Sequence, residues 1–243
     1  MSDSHLDKVL PFLNNIDAAR RKQFYDYFRN APLWLIESFR IEKIPKGKIF
    51  VREGEPVDVI YFIGDGIIKA TDYRIFGIKF DFILFTKVYA LGAMEVNMDI
   101  NEFCASLETV TDCIVLKIPK SEFARWMKTD ISALRHETKL MGEYLLEQAK
   151  RTRAFLFLQG ADRLALLFKN RYKKFAVNGV LKIENDRQEL SDFTGLSLKT
   201  ITRSIKKMEE DGLLTKQGNR ILINKAQYNR IKEQLAEILD EEE

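Results

Sequence analysis

The sequence predicts an α+β fold in which a β-rich half precedes a helical half. Three observations predict it: short runs of Ile, Val, Phe and Tyr alternate with turn signals from about 38 to 118, a helical pattern spans 130–157, and two short helices separated by a glycine follow at 187–194 and 198–210. Strands this short and closely spaced are typical of a small sandwich or barrel. The 243 residues suffice for one or two domains with their own cores.

Composition restricts the classes of function. Hydrophobic residues make up 46% and charged residues 31%, and the formal net charge is only +3. Two cysteines and two histidines, His5 and His136, predict neither a disulfide framework nor a metal site, and we expect no catalytic residues. The sequence contains no signal-peptide pattern and no run of about 18 apolar residues, so we expect a cytoplasmic protein without a membrane partner.

The elements of the first half follow from local signals. Asp17 is suited to cap a helix over 17–30, in which apolar residues recur at helical spacing. Pro119 ends the β region, and Ser121 begins a helix after it. Between them, β-branched and aromatic runs predict strands within 39–44, 48–51, 59–63, 66–73, 79–85 and 113–118.

The helical pattern over 130–157 is longer than an average globular helix. Six residues recur close to every 3.5 positions along it and define a seam flanked by charges. They are Leu134, Met141, Leu145, Gln148, Thr152 and Phe155. This pattern leaves two interpretations open, because the seam can face the chain's own core or a second copy of the helix.

The C-terminal part begins with a helix over 161–175, an Asn-Gly turn and a strand over 180–183. In the helix at 198–210, which Ser197 is suited to cap, one side carries apolar residues and the other carries cations. The apolar side consists of Leu198, Ile201, Ile205 and Met208; the cationic side consists of Lys199, Arg203, Lys206 and Lys207. Residues 213–223 then predict a two-stranded wing.

This cationic helix predicts DNA binding, since phosphates attract cations and base edges are read by Arg, Lys, Ser or Thr. Residues 160–224 contain 13 Lys and Arg against 8 Asp and Glu, so the basic excess lies where the motif lies. An ordinary solvated surface helix is the competing interpretation. The succession of helix, glycine turn, cationic helix and wing makes it the weaker one.

The chain resembles the CRP/FNR family of bacterial transcription regulators. The resemblance rests on RQELSDFTGLSLKTITRSIKKMEEDGLL near the C-terminus, IPKGKIFVREGEPVDVIYFIGDGIIK in the β region, and Ala161-Asp162-Arg163-Leu164. It implies three segments: an N-terminal helix with a cyclic-nucleotide-binding-like β-roll (a double-stranded β-helix) as sensor domain over 1–129, a long dimerisation helix and hinge over 130–158, and a winged helix-turn-helix DNA-binding domain over 159–243.

The resemblance further implies a homodimer on palindromic double-stranded DNA, with half-sites roughly 34 Å apart. Lys199 and Arg203 correspond to base-contacting positions, with Ser197, Thr200 and Thr202 alongside. Arg203 matches a guanine-reading arginine, whereas Lys199 replaces a glutamate common in the family, which changes the base expected there. Lys206, Lys207 and Arg187 are assigned to phosphates.

The resemblance places an effector pocket at Gly92, Ala93, Glu95, Phe103 and Cys104. Ala93 stands where nucleotide-binding members have a glutamate, although Glu95 is close. Phe103 and Cys104 replace the Arg-Ser pair, and Val88-Tyr89 replaces the upstream Gly-Asp pair. Because no cation faces a buried phosphate, we expect cyclic AMP not to bind.

Other cofactors and functions follow from the residue inventory. An iron–sulfur cluster requires four cysteines and only Cys104 and Cys113 exist; haem stays open through His136, a cysteine or a methionine. The effector is therefore unknown. Alternatives are a haem- or redox-sensing regulator, a constitutive DNA binder with a vestigial sensor, a cupin-like enzyme, which the scarcity of histidines disfavours, and a regulatory subunit of another protein. Activation would require a surface for RNA polymerase, and the sequence identifies none.

Overall fold

The computed structural model describes residues 3–73, 79–184 and 186–239. The chain divides into two compact units, residues 1–145 and residues 146–243, and each has its own cluster of buried apolar side chains. The predicted α+β fold class is confirmed: the strands of the first unit form two antiparallel sheets, and the second unit is mainly helical.

Helices open the first unit. They are α1 (Asp3–Val9), a 3-10 helix (Pro11–Asn15), α2 (Ala18–Tyr27) and α3 (Leu33–Glu37). The predicted cap is present, because Asp17 Oδ1 accepts hydrogen bonds from the N–H groups of Ala19 at 2.8 Å and Arg20 at 3.3 Å. Helix α2 ends three residues earlier than the sequence predicts. The sequence pattern did not predict α1, the 3-10 helix or α3, since helices of five to seven residues are too short for an apolar repeat to recur.

The predicted β-roll consists of two four-stranded antiparallel sheets, with strand orders β1-β8-β3-β6 and β2-β7-β4-β5. The strands are β1 (Arg40–Ile44), β2 (Ile49–Val51), β3 (Val59–Asp65), β4 (Ile68–Tyr73), β5 (Lys79–Phe85), β6 (Ala90–Leu91), β7 (Ser106–Thr109) and β8 (Cys113–Pro119). Strands β6 and β7 were not predicted, because β6 has only two residues and β7 (SLET) contains no run of β-branched or aromatic residues. Ile60, Phe62 and Leu116 are fully buried on paired strands β3 and β8 and form the centre of the core.

Three further helices are described in this part of the chain. Helix α4 (Ala93–Asn97) lies between β6 and β7, and α5 (Lys120–Thr129) and α6 (Ile131–Phe157) follow β8. Trp126 of α5 is buried and its ring stacks on Phe28 with ring centroids 5.8 Å apart. Asp130 Oδ1 caps α6 by accepting from the N–H of Ser132 at 2.9 Å and of Ala133 at 3.1 Å. The division between the two units falls inside α6.

The described residues of the second unit form four further helices and a three-stranded antiparallel sheet of order β10-β11-β9. Its elements are α7 (Ala161–Phe175), β9 (Val180–Glu184), α8 (Arg187–Thr194), α9 (Leu198–Glu210), β10 (Thr215–Gln217), β11 (Arg220–Asn224) and α10 (Lys225–Leu239). The predicted two-stranded wing is thus β10 and β11, joined by β9. Helix α10, which follows the wing, is not among the elements predicted from the sequence.

Candidate DNA interface and effector cavity

Helices α8 and α9 are joined by a tight turn. Asp186 Oδ1 caps α8 by accepting from the N–H of Gln188 at 2.9 Å. Gly195 ends α8 with φ of +69°, a left-handed conformation that favours glycine. Ser197 Oγ then accepts from the N–H of Thr200 at 3.2 Å, which fixes the start of α9. The capped helix, glycine turn and second capped helix form a helix-turn-helix.

Helix α9 has two chemically distinct faces. Ile201, Ser204, Ile205 and Met208 are buried on one face. The opposite face exposes Lys199, Thr202, Arg203, Lys206 and Lys207. The predicted cationic face is therefore presented to solvent, on a helix held in place by its apolar face.

Leu198 corrects the prediction for the apolar face. The helical spacing predicts Leu198 among the core residues, yet this residue is 47% exposed. It lies at the edge of the apolar stripe in the first turn of α9, next to the Ser197 cap. Sequence periodicity gives the direction of a side chain but does not show where the packing partner ends.

Two ion pairs hold α9 and its neighbours. Arg171 of α7 donates from Nη2 to Glu189 Oε1 of α8 at 2.7 Å, and its guanidinium lies 4.8 Å from the ring centre of Phe193. Lys216 of β10 lies 2.7 Å from Glu209 of α9, and its hydrogen bond lowers the pKa of that carboxyl. These positioning residues could not be predicted from the sequence, because pairs between distant elements leave no local signal.

The remaining predicted DNA residues have distinct surroundings. Arg187 is half-buried at the start of α8, and its Nη1 atom is buried without a hydrogen-bond partner among the described residues. Lys206 Nζ lies 3.7 Å from Glu210 of the same helix. The Thr202 hydroxyl donates to the carbonyl of Leu198 at 2.8 Å, and the hydroxyls of Ser197 and Thr200 are 2.9 Å apart.

The first unit contains a cavity of about 240 Å³ lined by residues of the sheets, of α4 and of α6. Four of the five predicted pocket residues line it, namely Gly92, Glu95, Phe103 and Cys104; Ala93 is buried but is not among the lining residues. Gly92 has φ of +95°, and a Cβ there would lie 3.0 Å from Ile60 Cδ1 and 3.1 Å from Phe103 Cε1. Its replacement would strain the cavity wall.

Helix α6 contributes to the cavity, which the sequence pattern does not predict. Glu137, Leu140, Met141 and Tyr144 line it, although Met141 had been predicted on the dimer seam. The sequence did offer one indication, because residues at the spacing of the predicted seam can face the chain's own core as well as a second helix. The cavity wall thus consists of roll residues on one side and of the long helix on the other.

Glu137 is a buried carboxyl that bonds across elements. It is hydrogen-bonded to the hydroxyl of Tyr27 on α2, and both side chains are buried. Burial raises the pKa of Glu137 from its ordinary 4.5 to about 7, with the Tyr27 hydrogen bond acting in the opposite direction. Burial first, and then the Glu137 charge, raise the pKa of Tyr27 well above 10.0.

The candidate sensing residues Cys104, Cys113 and His136 have different surroundings. No group of three or more His, Cys, Asp or Glu that could hold a metal occurs within the described ranges. Cys104 is exposed and Cys113 is buried, and desolvation raises the pKa of both thiols, which disfavours the reactive thiolate. His136 is exposed on α6, with its ring edge on Tyr27 at 5.1 Å between ring centroids.

Helix α6 carries exposed apolar side chains, but not the complete predicted seam. Leu134 and Leu145 of that seam are exposed, the latter by 52%, and the adjacent Leu146 is exposed by 63%. Phe155 packs against the core of the second unit, with the Arg163 guanidinium 5.1 Å from its ring centre. Gln148 is half-buried and Thr152 is exposed. The exposed apolar surface of α6 therefore coincides only in part with the predicted seam.

The helix-turn-helix, its exposed cationic α9 and the adjoining wing define a DNA-binding protein. Two family models match the chain: a cyclic nucleotide-binding domain over residues 41–130 and a Crp-like helix-turn-helix domain over residues 143–228. The chain belongs to the CRP/FNR family of DNA-binding transcription regulators, as the resemblance indicated. No helix within the described ranges has the length and apolar character needed to cross a membrane.

Individual relatives are distant but cover most of the chain. The cAMP-activated global transcriptional regulator CRP of Salmonella typhimurium is 21% identical over 78% of this chain and 92% of its own. The c-di-GMP responsive global regulator CLP of Xanthomonas campestris superposes with a TM-score of 0.70 at 19% identity, over 86% of this chain and 99% of that one. A CRP/FNR family transcriptional regulator of Thermus thermophilus superposes with a TM-score of 0.66 at 15% sequence identity. The match covers 80% of this chain and 98% of that one.

Proposed function

We propose that this regulator binds a palindromic duplex site as a homodimer and that a small molecule in the cavity controls the binding. The observation that carries the DNA-binding proposal is the pair of faces on α9, with Ile201 and Ile205 buried and Lys199 and Arg203 exposed. A helix anchored in this way can enter a major groove with its cationic face while its apolar face stays packed on the core of the second unit. Two copies would place their α9 helices roughly 34 Å apart, one turn of DNA.

The exposed residues of α9 divide into base and phosphate contacts. Arg203 presents a planar fork that suits guanine O6 and N7, and Lys199 donates to acceptors on the adjacent base pair. Ser197, Thr200 and Thr202 lie beside them. Lys206, Lys207 and Arg187 contact phosphates; the buried Nη1 of Arg187 lacks a partner within the described chain, and a phosphate oxygen would supply one.

The phosphate assignment predicts a change in salt dependence. Lys207→Ala removes one exposed cation from α9, so the slope of log affinity against log salt should become shallower by about 0.9. Fluorescence anisotropy on a duplex at several salt concentrations measures this slope. Lys128→Ala is the matched control, because it removes one exposed cation from α5 in the other unit and should leave the slope unchanged. Equal slopes for wild type and Lys207→Ala would remove Lys207 from the interface.

Dimerisation is proposed through the exposed apolar residues of α6. Leu134, Leu145 and Leu146 are large apolar side chains on one long helix, and a second copy of that helix would bury them. The protein should therefore sediment near twice 28.3 kDa.

Leu145→Glu should weaken this dimer on the order of 100-fold, because two like charges would meet across a two-fold axis. Sedimentation equilibrium measures the dissociation constant. Ser132→Glu adds the same charge on another side of α6 and should leave the dimer intact. A monomeric wild-type protein, or equal effects of both variants, would contradict dimerisation through this surface.

Control by a small molecule is proposed from the position of the cavity. Its lining includes Gly92 and Phe103 of the roll together with Leu140 and Tyr144 of α6. A ligand there contacts the helix that would join the two copies. Binding that favours one arrangement of α6 over another changes the population competent for DNA. A cavity of this size favours a regulated protein over a constitutive one.

A further inference from the structure

We propose that the cavity takes a small apolar cation, an amine on an aromatic or aliphatic body, and excludes cyclic nucleotides and other phosphates. The assignment of this ligand to gene regulation rests on the proposed function. The assignment of its chemistry rests only on the cavity itself.

The charge of the lining is the first argument. Two carboxyl groups, those of Glu95 and Glu137, line the cavity, and no Lys, Arg or His is among the described residues that do. A phosphate in this space would be a buried anion without a counter-charge, beside groups that repel it. The residues present therefore do not fit the cyclic nucleotide that the matching domain model describes.

Glu95 gives the site its polar anchor. Its side chain is buried, and Oε1 accepts the N–H of Cys104 at 3.2 Å, the one hydrogen bond found on this carboxylate within the described chain. The carboxylate also acts across the cavity: after burial itself, the charge of Glu95 contributes to raising the pKa of Tyr144 on α6. An ammonium group would donate hydrogen bonds to Glu95 and compensate its charge.

The remaining lining suits the body of such a ligand. Phe85, Tyr89, Phe103 and Tyr144 surround the cavity with aromatic rings, which attract cations over their faces. A cavity of about 150 Å³ is enough for benzene. The cavity of about 240 Å³ therefore holds one ring with a short aminoalkyl chain.

The test is thermal unfolding of the full chain with three probes: 2-phenylethylamine, its anionic counterpart phenylacetate, and cyclic AMP. Both tryptophans, Trp34 and Trp126, lie in the first unit, so their fluorescence reports unfolding of the unit that contains the cavity. A ligand that binds only the folded state raises the unfolding midpoint. We expect 2-phenylethylamine to raise it and the two anions to have no effect.

Glu95→Gln should weaken amine binding by about 10- to 100-fold, because a charge-assisted hydrogen bond becomes a neutral one. Glu37→Gln makes the same chemical change on an exposed residue of α3 outside the lining and should bind as wild type. Stabilisation by phenylacetate or cyclic AMP equal to that by the amine, no stabilisation by the amine, or unaltered amine binding in a folded Glu95→Gln variant would overturn the proposal.

The wild-type comparison of amine with carboxylate needs no variant, so it stands even if Glu95→Gln does not fold. DNA affinity is measured separately, with and without the amine. If the amine does not stabilise the protein but DNA still binds, the ligand assignment alone is contradicted. If the amine stabilises the protein but DNA binds under neither condition, the proposed function alone is contradicted.

Discussion

Arg203→Ala is expected to weaken binding to the specific DNA site by about 1–3 kcal/mol, roughly 5- to 150-fold, and to relax discrimination at one base pair. Arg203 is exposed on the face of α9 opposite the buried Ile201 and Ile205, and no ion pair or hydrogen bond of its side chain is found among the described residues. Its removal therefore takes away a contact to DNA without leaving an unpaired group in the protein. The helix itself stays anchored by its apolar face.

The measurement is a set of duplexes, each with one base pair changed, titrated with wild type and variants at one salt concentration. Arg203→Lys is the matched control, since it keeps the positive charge and loses the two-pronged geometry that reads guanine. We expect it to retain non-specific affinity and to lose the same discrimination as Arg203→Ala. Unchanged discrimination at every position in both variants would show that Arg203 does not read a base.

Glu137→Gln is expected to remove a pH-dependent destabilisation of the first unit of about 3 kcal/mol. The folded-state pKa of Glu137 is raised by burial from 4.5 to about 7, so the folded protein disfavours the ionised carboxyl. The contribution of Glu137 to the stability of the first unit is most favourable below pH 4.5, where the carboxyl is protonated in both the folded and the unfolded state. This contribution is lost as the pH rises through 7. A glutamine keeps the hydrogen bond to Tyr27 and does not ionise.

Urea unfolding of the first unit, followed by tryptophan fluorescence at pH 5 and pH 8, measures the effect. The stability of wild type relative to Glu137→Gln should fall by about 2.5 kcal/mol between the two pH values, because the carboxyl is already partly ionised in the unfolded state at pH 5. Tyr27 stays neutral in this range, and His136 and Glu95 are present in both proteins, so their contributions cancel. A constant difference between the two proteins would mean that Glu137 titrates normally.

Local patterns in the sequence were sufficient for the elements that determine the fold class. Strands β3, β4, β5 and β8 show β-branched and aromatic runs, and α8 and α9 show caps and a glycine between them. These features depend on neighbouring residues only. The residues of the helix-turn-helix could therefore be predicted in detail.

The cavity and the exposed surface of α6 could not be predicted in the same way. The roles of Met141, Glu137 and Tyr144 depend on elements that are distant in sequence and adjacent in space. Leu198 and Phe155 were assigned by periodicity, which does not show which elements cover a helix face. Short elements such as β6 have too few residues to carry a pattern.

The most direct test of the central claim is selection of random duplex DNA by the purified full-length protein, followed by sequencing of the bound pool. If α9 reads bases as part of a two-fold dimer, the pool should be enriched in a palindrome whose half-sites are roughly 34 Å apart, and the Arg203→Ala pool should lose one base pair of each half-site. A parallel selection with added 2-phenylethylamine tests the case in which the protein binds DNA only when its cavity is occupied. No enriched sequence with or without the amine, or an asymmetric single site, would contradict the account.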